Sequence, residues 1–210
     1  MGQSTVRFAT LAAVAVTSAL ALGACGGGSA TTRLAAAHGA ALDAPALPTR
    51  PVAAPEIALH NSLGQPVRLS ALRGKAVMLT FIYDHCPDIC PAIVGNFHAA
   101  LERMGPAAAS HVVFVAVSVD PRGDTPATVE AFLAKHGMTG RMDYLIGSRH
   151  ELEPVWRKYG VKVEASPDSR EVGHSAFVYG VSGSGKISAL YPANFKPGWI
   201  VHDVPLLAQE

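Results

Sequence analysis

The sequence is poor in cysteine and has no excess of charge of either sign. Three cysteines in 210 residues are too few for a small domain held together by disulfides, and their odd number requires a separate explanation for at least one. Lysine and arginine together number 17 against 16 aspartates and glutamates, a net charge of +1. That balance leaves no cationic surface field of the kind that binds nucleic acid, so nucleic acid is not an expected partner.

The sequence also has no internal repeat and no long polar tract. Its 49% hydrophobic and 16% charged residues exclude an intrinsically disordered chain, which has too little apolar surface to form a core. The length suits one domain of ordinary size with a tail.

The amino terminus has a short apolar run, but the run is too short to cross a bilayer as a helix. Residues 8–22 are fifteen residues without charge that follow Arg7, whereas a spanning helix needs about 20 apolar residues. This pattern is typical of a signal peptide, and its end, LGAC at 22–25, resembles a bacterial lipoprotein box. We therefore predict a lipoprotein signal peptide over residues 1–24 and lipidation of Cys25, with the domain on the extracytoplasmic face of a bacterial cell membrane. An ordinary cleaved signal with an unmodified cysteine is the alternative.

The stretch that follows lacks a sustained apolar period. Residues 25–54 are rich in alanine, glycine, proline, serine and threonine, a composition typical of a flexible tether. We predict a lipid-anchored flexible linker over residues 25–54 and a folded domain over residues 55–210, which is long enough to bury a core.

Strand and helix patterns alternate through the predicted domain. Residues 76–83, AVMLTFIY, form a nearly continuous apolar run, which indicates a strand buried on both faces of a sheet. A helical period then begins at Pro91 and ends before Gly105. The order predicts an α/β fold with a mixed central sheet, helices on both faces and an extra amino-terminal hairpin. The other predicted strands are 57–59, 67–69, 112–119, 142–146, 175–181 and 186–191, and the other predicted helices are 125–136 and 151–159.

Cys86 and Cys90 lie where the buried strand meets the next helix. The free N–H groups of a helix amino terminus stabilise a thiolate, which is the form of cysteine that acts as nucleophile and as metal ligand. A spacing of four brings both sulfurs over one turn, so a structural disulfide, a redox pair and a metal chelate remain open. Structural zinc would require a fourth ligand, and no other free cysteine exists. Copper accepts fewer ligands, and Cu(I) is soft, as thiolates are.

His174 is the third candidate residue, directly before the strand predicted at 175–181. A lone histidine there is usually structural, and its candidacy depends on the thiol pair. His85 lies beside Cys86 and could tune that thiol or reach an ion, although adjacent side chains usually point apart. The remaining histidines have no spacing typical of a ligand set and are predicted at the surface: His38, His60, His98, His111, His136, His150 and His202.

Motifs in three separate parts of the chain carry a resemblance to a known family. They are FIY at 81–83 with CPDICP at 86–91, SVDP at 118–121 with DTP at 124–126, and HS at 174–175. Over about residues 55–205 the chain resembles the Sco (SCO1/SenC) family of copper-binding cytochrome c oxidase assembly proteins. The resemblance implies a thioredoxin-like fold.

The resemblance also implies a ligand set and a function. Cys86 and Cys90 would be the thiolate ligands and His174 the nitrogen ligand of one copper ion per domain, as Cu(I) or Cu(II). The implied function is a membrane-tethered copper metallochaperone that serves the dinuclear copper centre of cytochrome c oxidase. Its partners would be the copper-accepting oxidase subunit and, in addition, a thiol reductant or another copper chaperone. The alternative is a thiol-disulfide oxidoreductase with Cys86 and Cys90 as its catalytic redox pair, and a peroxidase of the same fold is a third option.

Two positions depart from the pattern of the family. Asp84 stands where members commonly have threonine, and Gly173 stands where they commonly have aspartate. A carboxylate next to a metal-binding histidine orients the ring and raises its basicity, which glycine cannot do. We therefore expect His174 to bind copper less firmly than in relatives, with Asp84 and Asp88 as candidates to compensate electrostatically.

Overall fold

The longest run of buried apolar residues forms the central strand of a mixed sheet. In the computed structural model, which describes residues 41–165 and 172–210, all seven residues of this strand, Ala76–Ile82, are buried. The strands are β1 (Val52–Ala53), β2 (Ala58–Asn61), β3 (Pro66–Arg68), β4 (Ala76–Ile82), β5 (Val112–Ser118), β6 (Met142–Ile146), β7 (Val163–Ala165), β8 (Val172–His174), β9 (Phe177–Val181) and β10 (Lys186–Pro192). The helices are α1 (Ile89–Arg103), α2 (Pro106–Ala109), α3 (Pro126–Lys135), α4 (Arg149–Lys158) and α5 (Pro197–Gln209), and a 3-10 turn spans Leu69–Leu72.

The main sheet mixes parallel and antiparallel pairs. Its strand order is β1-β10-β9-β4-β5-β6-β2-β3, and β7 and β8 form a separate two-stranded sheet. The β4-β5 and β5-β6 pairs are parallel, as expected for strands joined through helices, whereas β9 joins β4 antiparallel and continues into the β9-β10 hairpin. The predicted amino-terminal hairpin is present as β2-β3, and it extends the sheet through β6.

Helices cover both faces of this sheet, as predicted. Successive side chains of a strand point to opposite faces, so Met78 and Phe114, which pair in register, lie on the face opposite Phe81. Phe97 of α1 stacks on Phe114 with ring centroids 4.7 Å apart, and Tyr159, at the end of α4, lies 5.4 Å from the ring of Phe81. The helices α1 and α4 therefore lie on opposite faces, and α5 packs beside α1.

The helix α5 is absent from the sequence prediction, although its apolar spacing is helical. Ile200, Val204 and Leu207 are fully buried and follow each other at intervals of four and three residues. Pro197 occupies the first turn, where proline is tolerated, but Pro205 lies inside the helix and obscures the pattern. Within the described residues no helix is both long and apolar enough to cross a membrane.

The folded part begins before residue 55, which is where the prediction placed the start of the domain. The backbone amides of Asp43 and Ala44 donate to the carboxylate of Asp203 at 2.7 and 2.9 Å, and Ala44 is buried. Further along, β1 pairs with β10. We call residues 43–54 the amino-terminal segment. The predicted signal peptide, Cys25 and the first part of the predicted linker lie outside the described residues.

Most of the histidines predicted at the surface are exposed or partly exposed. His98 is half-buried, and its Nδ1 is a buried atom without a hydrogen-bond partner. Its ring lies against the backbone of Gly137, where a side chain would collide with the imidazole. His38 lies outside the described residues.

Candidate metal centre

The loop between β4 and α1 carries both cysteines to the carboxyl end of the buried strand. The strand ends at Ile82 and the helix begins at Ile89, with Asp88 as its N-cap accepting a hydrogen bond from the Ile89 amide. Pro91 lies in the first turn, where its missing N–H costs nothing. Cys86 is thus a loop residue, whereas Cys90 belongs to the first turn of the helix.

The two sulfurs interact directly, and they differ in exposure. The Cys90 amide donates to Cys86 Sγ at 3.4 Å. Cys86 is half-buried, Cys90 is fully buried, and both are free thiols. The hydrogen bond from the Cys90 side chain lowers the pKa of Cys86 to about 5, because it outweighs the opposing effect of burial. The same bond, together with burial, raises the pKa of Cys90. The pKa values of the two thiols therefore move apart, which favours the thiolate at Cys86 and the protonated thiol at Cys90.

His174 ends β8 and brings a nitrogen to the cysteines. Its Nε2 lies 4.0 Å from Cys90 Sγ, and its Nδ1 lies 3.1 Å from the carbonyl oxygen of Ser175. Because a carbonyl only accepts, Nδ1 carries the proton and Nε2 presents a lone pair toward the sulfur. Burial lowers the pKa of His174, which favours this neutral form. The structure thus brings together Cys86, Cys90 and His174, the three residues that the resemblance implies as ligands.

Tyr83 is a residue of this site to which the sequence analysis gives no role. Its ring is 4% exposed and stands edge-on to two imidazoles, that of His85 at 5.0 Å and that of His174 at 5.9 Å between centroids. Its phenol interacts with Cys86 and with the backbone of Val172, and burial raises its pKa to about 12. Tyr83 thus connects the loop between β4 and α1, which we call the thiol loop, to β8. The available signal was a tyrosine ending a buried run, since a buried phenol needs a hydrogen-bond partner.

Because residue 173 is a glycine, a backbone carbonyl rather than a neighbouring carboxylate orients the His174 ring. The Nδ1–H group of His174 donates to the carbonyl oxygen of Ser175. Gly173 pairs with Glu164 of β7, and a side-chain carbon built there would lie 3.7 Å from the nearest atoms of Glu164, an ordinary contact. The site therefore has room for the aspartate that the family commonly carries.

The two aspartates proposed to compensate have different surroundings. Asp88 is exposed and caps α1. The side chain of Asp84 is only 6% exposed, and its Oδ1 lies 2.7 Å from Nδ1 of His85. His85 is held by carboxylates, because its Nε2 also lies 3.5 Å from Oδ2 of Asp120. Thr125 is the N-cap of α3, and Asp124, directly before it, is buried.

The fold and this arrangement define a class: a thioredoxin-like domain with two free thiols and an imidazole at the carboxyl end of its central strand. Comparison with known proteins narrows the class. The SCO1/SenC family model matches residues 48–209, and the chain therefore belongs to the SCO1/SenC family. The predicted thioredoxin-like fold is confirmed by the solved structures of that family.

Three relatives illustrate the similarity. Protein SCO1 homolog 1 of Arabidopsis thaliana mitochondria is 32% identical over 147 residues, which are 69% of this chain and 41% of the relative. Apo Sco1 from Thermus thermophilus superposes with a TM-score of 0.67 at 28% identity, covering 77% of this chain and 94% of that one. ScoI from Bradyrhizobium japonicum, with copper bound, has a TM-score of 0.65 at 26% identity, covering 74% and 99%. The chain spans about half the length of several curated relatives that it matches.

Proposed function

We propose that this protein is a membrane-tethered copper metallochaperone that serves the dinuclear copper centre of cytochrome c oxidase. The observation that carries the proposal is the convergence of two thiols and a neutral imidazole, with Cys90 Sγ 4.0 Å from His174 Nε2. The copper-bound relative from Bradyrhizobium japonicum supports the choice of metal. Copper is the cargo, and the copper-accepting subunit of the oxidase is the proposed recipient.

The donor set fits copper in its chemistry, and the pair of Cys90 and His174 also fits in spacing. Thiolates are soft ligands that suit Cu(I), and the imidazole allows Cu(II) as well. A nitrogen and a sulfur bonded to one ion at about 2.0 and 2.3 Å in a trigonal plane lie about 3.7 Å apart. The 4.0 Å between Cys90 Sγ and His174 Nε2 is close to that value. The donor atoms of Cys86, Cys90 and His174 do not all lie within 4.8 Å of one another, so Cys86 or His174 has to move inward for all three to bind one ion.

The unequal exposure of the two sulfurs suits delivery. Cys90 is fully buried, whereas Cys86 is half-buried at the end of the loop. A thiolate of the acceptor reaches the ion from the side of Cys86, so that ligands exchange one at a time. The ion need not pass through water.

Titration of the reduced protein with Cu(I) and Cu(II) tests the proposal, with metal analysis and absorption spectroscopy as readouts. We expect one copper per domain in wild type, and a loss of affinity above about 100-fold in Cys86→Ser and in Cys90→Ser. His174→Ala should bind more weakly and change the Cu(II) spectrum. His150→Ala, an exposed histidine at the start of α4, is the matched control. Wild-type stoichiometry and affinity in both cysteine variants would exclude the proposed site.

A thiol-disulfide oxidoreductase is the second candidate, favoured by the exposure of Cys86 over the buried Cys90. In this reaction the Cys86 thiolate attacks an acceptor disulfide, forming a mixed disulfide and releasing one acceptor thiolate. Cys90 then loses its proton and attacks Cys86 Sγ, which releases the second acceptor thiol. Two electrons pass to the acceptor as the Cys86–Cys90 disulfide forms, and a thiol reductant is needed to reverse it.

His174→Ala separates the two candidates, because the imidazole is a copper ligand and takes no part in the exchange. Retention of oxidase assembly in cells carrying His174→Ala favours thiol exchange, and loss of assembly favours copper delivery. The rate at which the reduced variant cleaves a disulfide-bonded acceptor peptide provides the second readout. We expect loss of assembly with an unchanged rate of thiol exchange.

We also propose that Cys25 is acylated after removal of residues 1–24, which anchors the domain on the outer face of a bacterial cell membrane through a linker. The sequence at 22–25 supports this anchor, and two or more acyl chains give stable attachment. Cys25→Ser should move the protein from the membrane fraction to the soluble fraction and abolish labelling by radioactive palmitate. Unchanged fractionation and labelling would refute the anchor.

A further inference from the structure

A second group of metal-binding side chains adjoins the thiol loop and shares no residue with the copper site. We call Asp84, His85, Asp120 and Asp124 the acidic cluster. Donor atoms of Asp84, His85 and Asp124 all lie within 4.8 Å of one another. Ligands bonded at about 2.1 Å to one tetrahedral ion lie about 3.4 Å apart, so small side-chain movements would seat all three on one cation.

The cluster gathers three carboxyl groups in a poorly exposed place, where burial raises the pKa of Asp124 to about 7. Its three carboxylates face a single imidazole, and the side chains of Asp84 and Asp120 are 6% and 13% exposed. Asp124 is buried and accepts from the Tyr144 hydroxyl at 2.9 Å and from the Asp84 amide at 2.9 Å. Across residues 41–165 and 172–210, no lysine or arginine forms an ion pair with these carboxylates.

One oxygen in the cluster has no hydrogen-bond partner among residues 41–165 and 172–210. Asp84 Oδ2 is buried and makes no hydrogen bond, although Oδ1 of the same carboxylate contacts His85. Buried carboxylate oxygens are nearly always hydrogen-bonded or bound to a cation, because their desolvation is otherwise uncompensated. This oxygen belongs to a side chain that is more than nine-tenths buried among the other donors. It is therefore an open ligand position.

The backbone opposite His85 leaves space for the imidazole and for the Asp120 carboxylate, because residue 123 is a glycine. A side-chain carbon at Gly123 would lie 2.2 Å from Asp120 Oδ2 and 2.6 Å from Cε1 of His85. Because no real contact is that short, only glycine at this position allows the imidazole and the Asp120 carboxylate to approach the loop. The donors are thus placed by packing from two segments that are distant in sequence.

We propose that Asp84, His85 and Asp124 bind a second metal ion, a divalent cation of borderline hardness such as Zn²⁺, at a site distinct from the thiol site. One imidazole and two carboxylates suit Zn²⁺ and its neighbours in the first transition row, whereas Cu(I) prefers the sulfurs. Asp120, next to Nε2 of His85, orients the ring. The proposal does not rest on copper delivery, because it uses none of Cys86, Cys90 and His174.

Zn²⁺ titration of the Cys86→Ser/Cys90→Ser double variant, followed by calorimetry, isolates the second site. We expect one Zn²⁺ per domain in the double variant, and a rise in Tm of about 5–10 °C at zinc about 100-fold above its dissociation constant. Adding His174→Ala should leave this binding unchanged. Adding His85→Gln, at a partly exposed position that tolerates substitution, should weaken it at least 10-fold and remove the rise in Tm.

Two further variants separate a built site from general negative charge. Asp88→Asn removes a carboxylate of the same loop outside the cluster while keeping the helix cap, and it should bind Zn²⁺ as the double variant does. Gly123→Ala removes no donor atom but displaces His85 and Asp120, and it should lose affinity nearly as far as His85→Gln. A double variant that binds no Zn²⁺, or one that binds it equally with and without His85, would overturn the proposal. Neither result bears on Cu(I) binding by the thiols.

Discussion

The described part of the chain contains two groups of one histidine and two aspartates, and the two groups have different surroundings. Asp43, His202 and Asp203 meet where the amino-terminal segment reaches α5, and Asp84, His85 and Asp124 meet beside the thiol loop. At the first, which we call the latch, every oxygen of Asp203 is used: Oδ1 accepts from Asp43 and His202, and Oδ2 from Ala44 and Tyr191. At the second, Asp84 Oδ2 has no hydrogen-bond partner among the residues that the structure describes.

This difference shows why the same residue types can serve structure at one place and ligand binding at another. A carboxylate in which each oxygen accepts two hydrogen bonds, as in Asp203, has no lone pair left for an ion. Asp124 differs, because one amide and one hydroxyl donate to its separate oxygens. A carboxylate with one buried oxygen that accepts no hydrogen bond still has lone pairs for a cation. Binding the cation offsets the free-energy cost of burying that oxygen. We therefore expect zinc at the acidic cluster and none at the latch.

The largest expected effect is the loss of stability when the latch is broken. Asp203→Asn replaces one accepting oxygen by an amide nitrogen that faces other donors, and it should lower the free energy of unfolding by about 2–3 kcal/mol. Hydrogen exchange should accelerate at the amides of residues 43–54, which Asp203 holds through Asp43 and Ala44. Chemical denaturation and exchange mass spectrometry measure both. Unchanged protection of that segment would show that the latch does not hold it.

The next largest effect is expected when a carboxylate is placed beside His174, at the thiol site itself. Gly173→Asp places a carboxylate beside His174 in a space without close contacts. It should raise Cu(II) affinity about 10-fold, the lower end for a group that supports a ligand, because Glu164 on the paired strand repels the new charge. Competition titration with a copper chelator measures the change. Gly173→Ala, which alters the backbone without adding charge, should have wild-type affinity.

At the acidic cluster we expect a smaller change in the free energy of unfolding, with the opposite sign to the change expected for Asp203→Asn. Asp84→Asn removes one of three crowded carboxylates and supplies an amide that can donate to Asp124, so the metal-free protein should gain about 1 kcal/mol. The gain should disappear in saturating Zn²⁺, which stabilises wild type and not the variant. Thermal denaturation with and without zinc tests both statements. A variant less stable than wild type without metal would mean that Asp84 is a structural group like Asp203.

Local patterns predicted much of the fold and two of the three residues of the thiol site. The buried run before Cys86 predicts β4, and the proline in the first turn with its apolar period predicts α1, because these signals act within a few residues. The position of both thiols at this junction follows directly. The resemblance implied His174, whose sequence position alone did not distinguish a ligand from a structural histidine.

The parts that were missed depend on contacts between distant residues. The acidic cluster forms because Asp124 accepts from an amide 40 positions earlier, and the latch joins residues 160 positions apart. Neither pairing leaves a periodic trace in the sequence. The strands β7 and β8, which carry His174 toward the cysteines, are only three residues long each, too short to show an alternating pattern.

The smallest expected effect is a dependence of stability on pH, which comes from His202 at the latch. At the latch, the hydrogen bond to Asp203, helped by the charge of Asp43, raises the pKa of His202 above its ordinary value near 6.5. The folded state therefore holds this proton more tightly than the unfolded state. Its stabilising contribution is complete below about pH 6.5 and is lost as the pH rises through the folded-state pKa.

Because the side chain of His202 is 43% exposed, solvent screens the interaction and the effect is small. We expect the Tm of wild type to fall by about 1–2 °C relative to His202→Gln between pH 6 and pH 8, with His150→Gln as the exposed control. Parallel Tm curves for wild type and His202→Gln would mean that the charge on His202 adds nothing to the latch. The hydrogen bonds from the amides of Asp43 and Ala44 would then be enough to hold the amino-terminal segment, since they do not titrate in this range.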